Sequence, residues 1–270
     1  VIEVLPPQKQ ARYYFLAGLI AQEKRELSTA LHSFEAALGF APTRLRVAIL
    51  DELGVNYYLA EVYKAALRYH LRALNLLQKE PPDEAIAALQ FKIQLHCGND
   101  YRALGAYDQA CEHYELARMS LNPEHDIKTA ALLYQGLGYC THVAIYQKTA
   151  PNIAADPRAT PEEMEREFQR ALDFFLQSRI LYQVSGDKIG EATARLAFAL
   201  AKLDLSTRRS QLAEQKAKDA SINSPALLND AEEECRQVLL SWQYLLNDTS
   251  TSDETDKIIY GALAYLIHIY

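Results

Sequence analysis

The sequence predicts an all-α fold, a stack of about five antiparallel helix hairpins with one further capping helix at the C-terminal end. Three observations predict it. Ala and Leu dominate the 270 residues, β-branched residues are few, and Gly and Pro number ten each; that balance favours helix over sheet. Small residues recur at a fixed interval, twelve positions and then seven: Gly18, Ala30, Ala37; Gly54, Ala66, Ala73; Gly98, Ala110, Ala117. A ring stands between the last two members each time, at Phe34, His70 and Tyr114.

The spacing has a physical reason. Seven residues make nearly two helical turns, so Ala30 and Ala37 share one face with Phe34 beside them. Small residues let a neighbouring helix approach, and the ring fills the space next to them. Gly18 and Ala30 fall on consecutive helices joined by a short turn, which makes a tight antiparallel hairpin. Pro42 is expected to close the second helix, because it removes a donor and fixes φ.

Each following element repeats the argument. The second hairpin carries Leu50, Leu53, Gly54, Tyr57, Ala66, His70 and Ala73; the third carries Gln94, Cys97, Gly98, Tyr101, Ala110, Tyr114 and Ala117, with a turn at Gly105. The fourth starts with Tyr134, Leu137 and Gly138, but its second helix brings Ala171, Phe175 and Ser178 only after the insertion KTAPNIAADPRATP. The first helix is predicted to reach about Lys148. The second starts near Pro161, behind a Thr160 N-cap with Glu163 as the returning acid. A fifth unit follows the Gly186-Asp187 turn, with Ala199 in the glycine's place and a first helix extending to about Lys218. Ser224-Pro225 opens another helix through Ala231, Cys235 and Trp242, and residues 253–270 form the cap. No linker is rich enough in Gly and Ser to free a second domain. The expected organisation is one array over 1–270: regular repeats over 11–123, irregular ones over 124–248, and the capping helix.

This pattern resembles the tetratricopeptide repeat (TPR) family. Tyr14, Ala17, Gly18, Ala21, Ala30, Phe34, Ala37 and Pro42 occupy the eight signature places, with Tyr for the usual Trp. The resemblance implies a right-handed superhelix whose first helices line a concave groove. It points inward the residues three before, one after and four after each signature glycine, with those six before and five after. In this chain these and adjoining places give Asp51, Tyr58, Lys92, Asn99, Arg102, Gln135, Tyr139 and His142, with His96 at the groove edge and Tyr146 a turn further on. Such a polar and aromatic groove suits a peptide or protein segment: amides pair with a backbone, Lys and Arg hold carboxylates, and Tyr covers apolar side chains. The family's two-carboxylate clamp needs Lys and Asn where this chain has Phe15 and Leu19, which disfavours a chaperone-tail adaptor. In architecture the chain is also similar to the sensor portion of bacterial peptide-responsive helix-turn-helix transcription regulators, and the absence of an initiator Met suggests a piece of something longer.

Composition excludes other classes. A net charge of −7 does not suit direct nucleic-acid binding by this segment. Four widely spaced cysteines without a CxxC indicate reduced thiols and a cytoplasmic setting. No apolar run is long enough to span a membrane, and no signal peptide opens the chain. There is no P-loop, GxSxG, HExxH or GxGxxG, so no enzyme is expected. No cofactor or metal is expected either: in Cys111/His113 and Cys140/His142 the two side chains diverge on a helix and cannot chelate one ion. The remaining alternative is a scaffold or homodimer, for which KIIYGALAYLIHIY, apolar on more than one face, supplies a contact.

Overall fold

In the computed structural model the described residues are 5–121, 127–149 and 160–217. They form helices and no strand, and no helix among them is long and apolar enough to cross a membrane. The chain divides into two compact units, Val1–Asn122 and Pro123–Tyr270. The expected helix through Ala231, Cys235 and Trp242, the cap over 253–270 and most of the insertion lie outside the described residues.

The first unit holds three hairpins: α1 (Pro7–Glu23) with α2 (Leu27–Leu38), α3 (Thr43–Leu59) with α4 (Tyr63–Leu77), and α5 (Glu84–Ala103) with α6 (Tyr107–Met119). Consecutive hairpins pack through α2 on α3 and α4 on α5. The core follows the small-residue lattice: Ala30, Phe34, Ala37, Ala66, Ala73, Ala110, Tyr114 and Ala117 are all buried.

The three described turns inside hairpins, and the turn at Gly186, are closed in one way. Glu26 N–H reaches Ala21 O and Arg25 N–H reaches Gln22 O; the same pair of bonds recurs at Val62/Glu61, Ala106/Gly105 and Asp187/Gly186. This is the Schellman closure, which needs a left-handed residue. Gly105 (φ 75) and Gly186 (φ 71) supply it as glycine, whereas Arg25 and Glu61 are held at φ 60 with full side chains. Pro42 differs from expectation. Helix α2 ends earlier, at Leu38, and Pro42 is the extended N-cap residue of α3 (ψ 162). Its fixed φ starts the next helix instead of stopping the previous one.

The second unit pairs α7 (Ile127–Thr149) with α8 (Pro161–Ser185), and α9 (Lys188–Ala217) packs on α8 and touches α7. The capping box at Thr160 and Glu163 is present in both directions, with Pro161 opening the helix. The insertion therefore lengthens both helices of the hairpin, by about two turns each. The added turns are filled by Ile145 and Phe168, which join Ala171, Leu172 and Phe175 in one core.

Candidate functional site

The signature glycine and the ring four residues after the second helix's first small residue are direct partners. A Cβ placed on Gly18 would come within 2.5 Å of Phe34 Cε1; on Gly98, 2.5 Å from Tyr114 Cδ1; on Gly138, 2.7 Å from Phe175 Cδ1. At Gly54 it would run into the ring of His70. Each hairpin is thus closed by a ring plugged onto a bare backbone.

A polar plug draws polar partners into the core, since a buried polar group must be paired. Tyr114 Oη donates to Asn99 Oδ1 at 2.7 Å. Tyr182, packed on Gly190, donates from its hydroxyl to Gln135 Oε1 at 3.0 Å. His70 asks more, because both its ring nitrogens need partners. Nδ1 donates to Asp100 Oδ2 at 2.5 Å, and Nε2 lies 3.2 Å from Asp51 O and 3.7 Å from Asp51 Oδ1. His96 Nδ1 donates to Asp51 Oδ1 at 2.7 Å. Lys92 Nζ stands 3.1 Å from Asp51 Oδ2 and 2.8 Å from Glu52 Oε1. Helices α3, α4 and α5 therefore bring two buried carboxylates, two imidazoles and an ammonium into one cluster. In the first hairpin the places of Asp51 and His70 are held by Phe15 and Phe34, whose ring centroids are 6.0 Å apart.

The side chains of Asp51, His70 and Asp100 are at most 1 % exposed, that of His96 20 % and that of Lys92 43 %, so the cluster reaches solvent through α5. Burial alone would raise the Asp51 carboxyl; His96, Lys92 and His70 outweigh it and hold it below the usual carboxylate range. Burial pushes the Asp100 carboxyl up, with His70 opposing. Burial would lower the Lys92 ammonium, but Asp51 and Glu52 raise it. Burial, reinforced by Asp100 and Asp51, raises the adjoining Cys97 thiol. Asp51 Oδ2 and Asp100 Oδ1 accept no aligned hydrogen bond from the described residues. One ligand atom each from Asp51, His70 and His96 lie within 4.8 Å of one another, a spacing from which they could hold a metal ion.

The ten residues expected to line the groove separate into groups. Asp51, Lys92 and His96 meet in the cluster, with Asp51 buried instead of open to solvent. Tyr58 is half-buried against Tyr63, with Arg102 beside it. Asn99 and Gln135 accept from the tyrosine plugs. In the second unit His142 Nε2 pairs with Asp204 Oδ2 at 2.7 Å. Tyr139 and Tyr146 are exposed there. Sequence reasoning missed His70 and Asp100 as partners. The available signal was a histidine at a place where the other hairpins carry Phe or Tyr.

No protein-family model and no curated protein sequence matches the chain. Solved structures do. The apo form of RapI superposes with a TM-score of 0.59 at 14 % identity, covering 96 % of this chain and 84 % of that one. BtubC (BKLC) from P. vanneervenii gives 0.58 at 13 %, over 91 % and 84 %. The nearly identical TPR-like repeats of a putative kinesin light chain from Podospora anserina give 0.56 at 14 %, over 90 % and 99 %. The fold is that of the TPR-like helical solenoids.

Proposed function

We propose that this chain is a protein- or peptide-binding repeat module, non-enzymatic and cytoplasmic, serving as the ligand-sensing part of a bacterial transcription regulator. The observation that carries the reading is a stripe on α7. Leu132, Tyr139 and Tyr146 are 49 %, 39 % and 48 % exposed and seven residues apart, so they fall on one helical face. Two of the three are tyrosines, which offer apolar area with a polar tip and lose little entropy on binding. The likeness to RapI is one of fold alone and names no ligand.

The test is a thermal-stability screen of the full chain against a diverse peptide library, with Tyr139→Ala/Tyr146→Ala as the comparison. A ligand at a hundred times its Kd stabilises the native state by about 2.7 kcal/mol. A shift seen with the natural chain and lost in the double variant supports the reading. A shift of equal size in both removes the stripe from it.

A second reading, a homodimer or scaffold, is favoured by α1. Tyr13, Leu16 and Ile20 are 47 %, 58 % and 58 % exposed and spaced as one face. Sedimentation analysis separates the two: a dimer dissociated by Leu16→Glu supports the scaffold reading.

A further inference from the structure

We propose that Asp51, His70 and His96 form a binding site for one divalent transition-metal cation of the zinc class. Three helices supply one ligand each, from α3, α4 and α5. Donors around a tetrahedral ion with bonds of ~2.0–2.2 Å stand about 3.3 Å apart. Asp51 Oδ1 lies 2.7 Å from His96 Nδ1 and 3.7 Å from His70 Nε2, on either side of that spacing; the ion displaces to solvent the proton that His96 Nδ1 donates to Asp51.

The surroundings support the ligands as metal sites require. A histidine ligand is normally held by a carboxylate on its other ring nitrogen, which fixes both tautomer and orientation. Asp100 does this for His70 through Nδ1 at 2.5 Å, leaving Nε2 toward Asp51. Nε2 faces the Asp51 main-chain O at 3.2 Å and Oδ1 at 3.7 Å, a place that a proton or a metal ion fills. Asp51 is 1 % exposed, and its two oxygens divide the cluster: Oδ1 faces both imidazoles, and Oδ2 faces the Lys92 ammonium at 3.1 Å. Lys92 is the competing charge. It already has Glu52 at 2.8 Å and stays paired when Asp51 turns to a cation.

The donor set selects the ion. Two imidazoles with one carboxylate suit zinc and its neighbours, whereas magnesium and calcium take oxygen ligands. Three protein ligands leave a fourth position for water, and His96, at 20 % exposed, is the most solvent-exposed of the three.

The probe is Co2+ alone, titrated into the chelator-treated full chain and followed by visible d–d absorption. One ion per chain is expected. His96→Gln, whose side chain reaches solvent, should fold as judged by circular dichroism and bind about tenfold or more weakly. Lys92→Met, which removes the competing ammonium, should bind more tightly. His142→Gln, at the separate pair with Asp204, should leave binding unchanged. Absence of stoichiometric Co2+ binding overturns the site, as does His96→Gln binding as tightly as the natural chain.

Discussion

His70 donates to Asp100 across 2.5 Å in the buried core, at the place in its hairpin where Phe34 seals the first hairpin onto Gly18. One exchange of an apolar ring for an imidazole converts a dry contact into a charged network spanning three helices. Removing one partner of a buried hydrogen bond leaves the other unsatisfied, at a cost of about 1–3 kcal/mol. His70→Phe should therefore destabilise the first unit by about that amount. The triple variant His70→Phe/Asp51→Leu/Asp100→Asn installs the residue types of neighbouring hairpins (Phe34, Leu95, Asn56) and should recover most of the loss. Urea unfolding of the three proteins decides it.

Gly98 and Gly39 should respond oppositely to the same methyl group. At Gly98 a Cβ would meet the Tyr114 ring at 2.5 Å, whereas at Gly39 the nearest atom is Ala36 O at 3.7 Å. Overpacking typically costs about 1–3 kcal/mol, so Gly98→Ala should lower the thermal midpoint. Gly39→Ala should be neutral or gain up to about 1 kcal/mol from the unfolded chain's lost freedom.

Arg25 and Glu61 sit at φ 60 in turns whose counterparts are Gly105 and Gly186. A side chain in the left-handed region costs about 1–2 kcal/mol, against about 0.5–1 kcal/mol for the flexibility of glycine. Arg25→Gly and Glu61→Gly should each stabilise by about 0.5–1 kcal/mol. Gly105→Ala should destabilise. Differential scanning calorimetry reads all three.

These comparisons show how much the residues disclosed. The lattice of Gly18, Ala30 and Ala37 and its copies was legible because helix packing imposes a local, fixed spacing. The capping box at Thr160 and Glu163 was legible because its chemistry lies within four residues. The turns at Gly105 and Gly186 could be read from glycine, but those at Arg25 and Glu61 could not, since the closing bonds come from backbone and override side-chain preference. The cluster was hidden for a different reason. Asp51, His70 and Asp100 are separated by whole helices, and only the folded hairpins bring them into register. Asp51 was found as a residue near the inner face, yet the sequence did not reveal that His96 and Lys92 cover it.

The His113 imidazole carries a pH dependence of its own. It donates from Nδ1 to Gln94 Oε1 at 2.5 Å and stacks on Tyr101 at 5.1 Å. Burial lowers its pKa below the ordinary 6.5, with Glu112 opposing. The native chain therefore takes up this proton less readily than the unfolded chain. Its contribution is neutral well above pH 6.5, becomes unfavourable as pH falls below 6.5, and levels off below the native value. His113→Phe keeps the stack and cannot titrate. Urea midpoints across the acidic range should fall less steeply in this variant than in the natural chain.

The central claim is that α7 presents a face for a protein or peptide partner. The most direct measurement replaces Tyr139, or separately Tyr13, with a photo-crosslinking phenylalanine and irradiates the full chain in extract from its own cells. The account predicts a discrete crosslink to another polypeptide from position 139, one that purified competitor peptide from the thermal screen suppresses. Crosslinks confined to position 13 and joining two copies of this chain, with none from position 139, would contradict it.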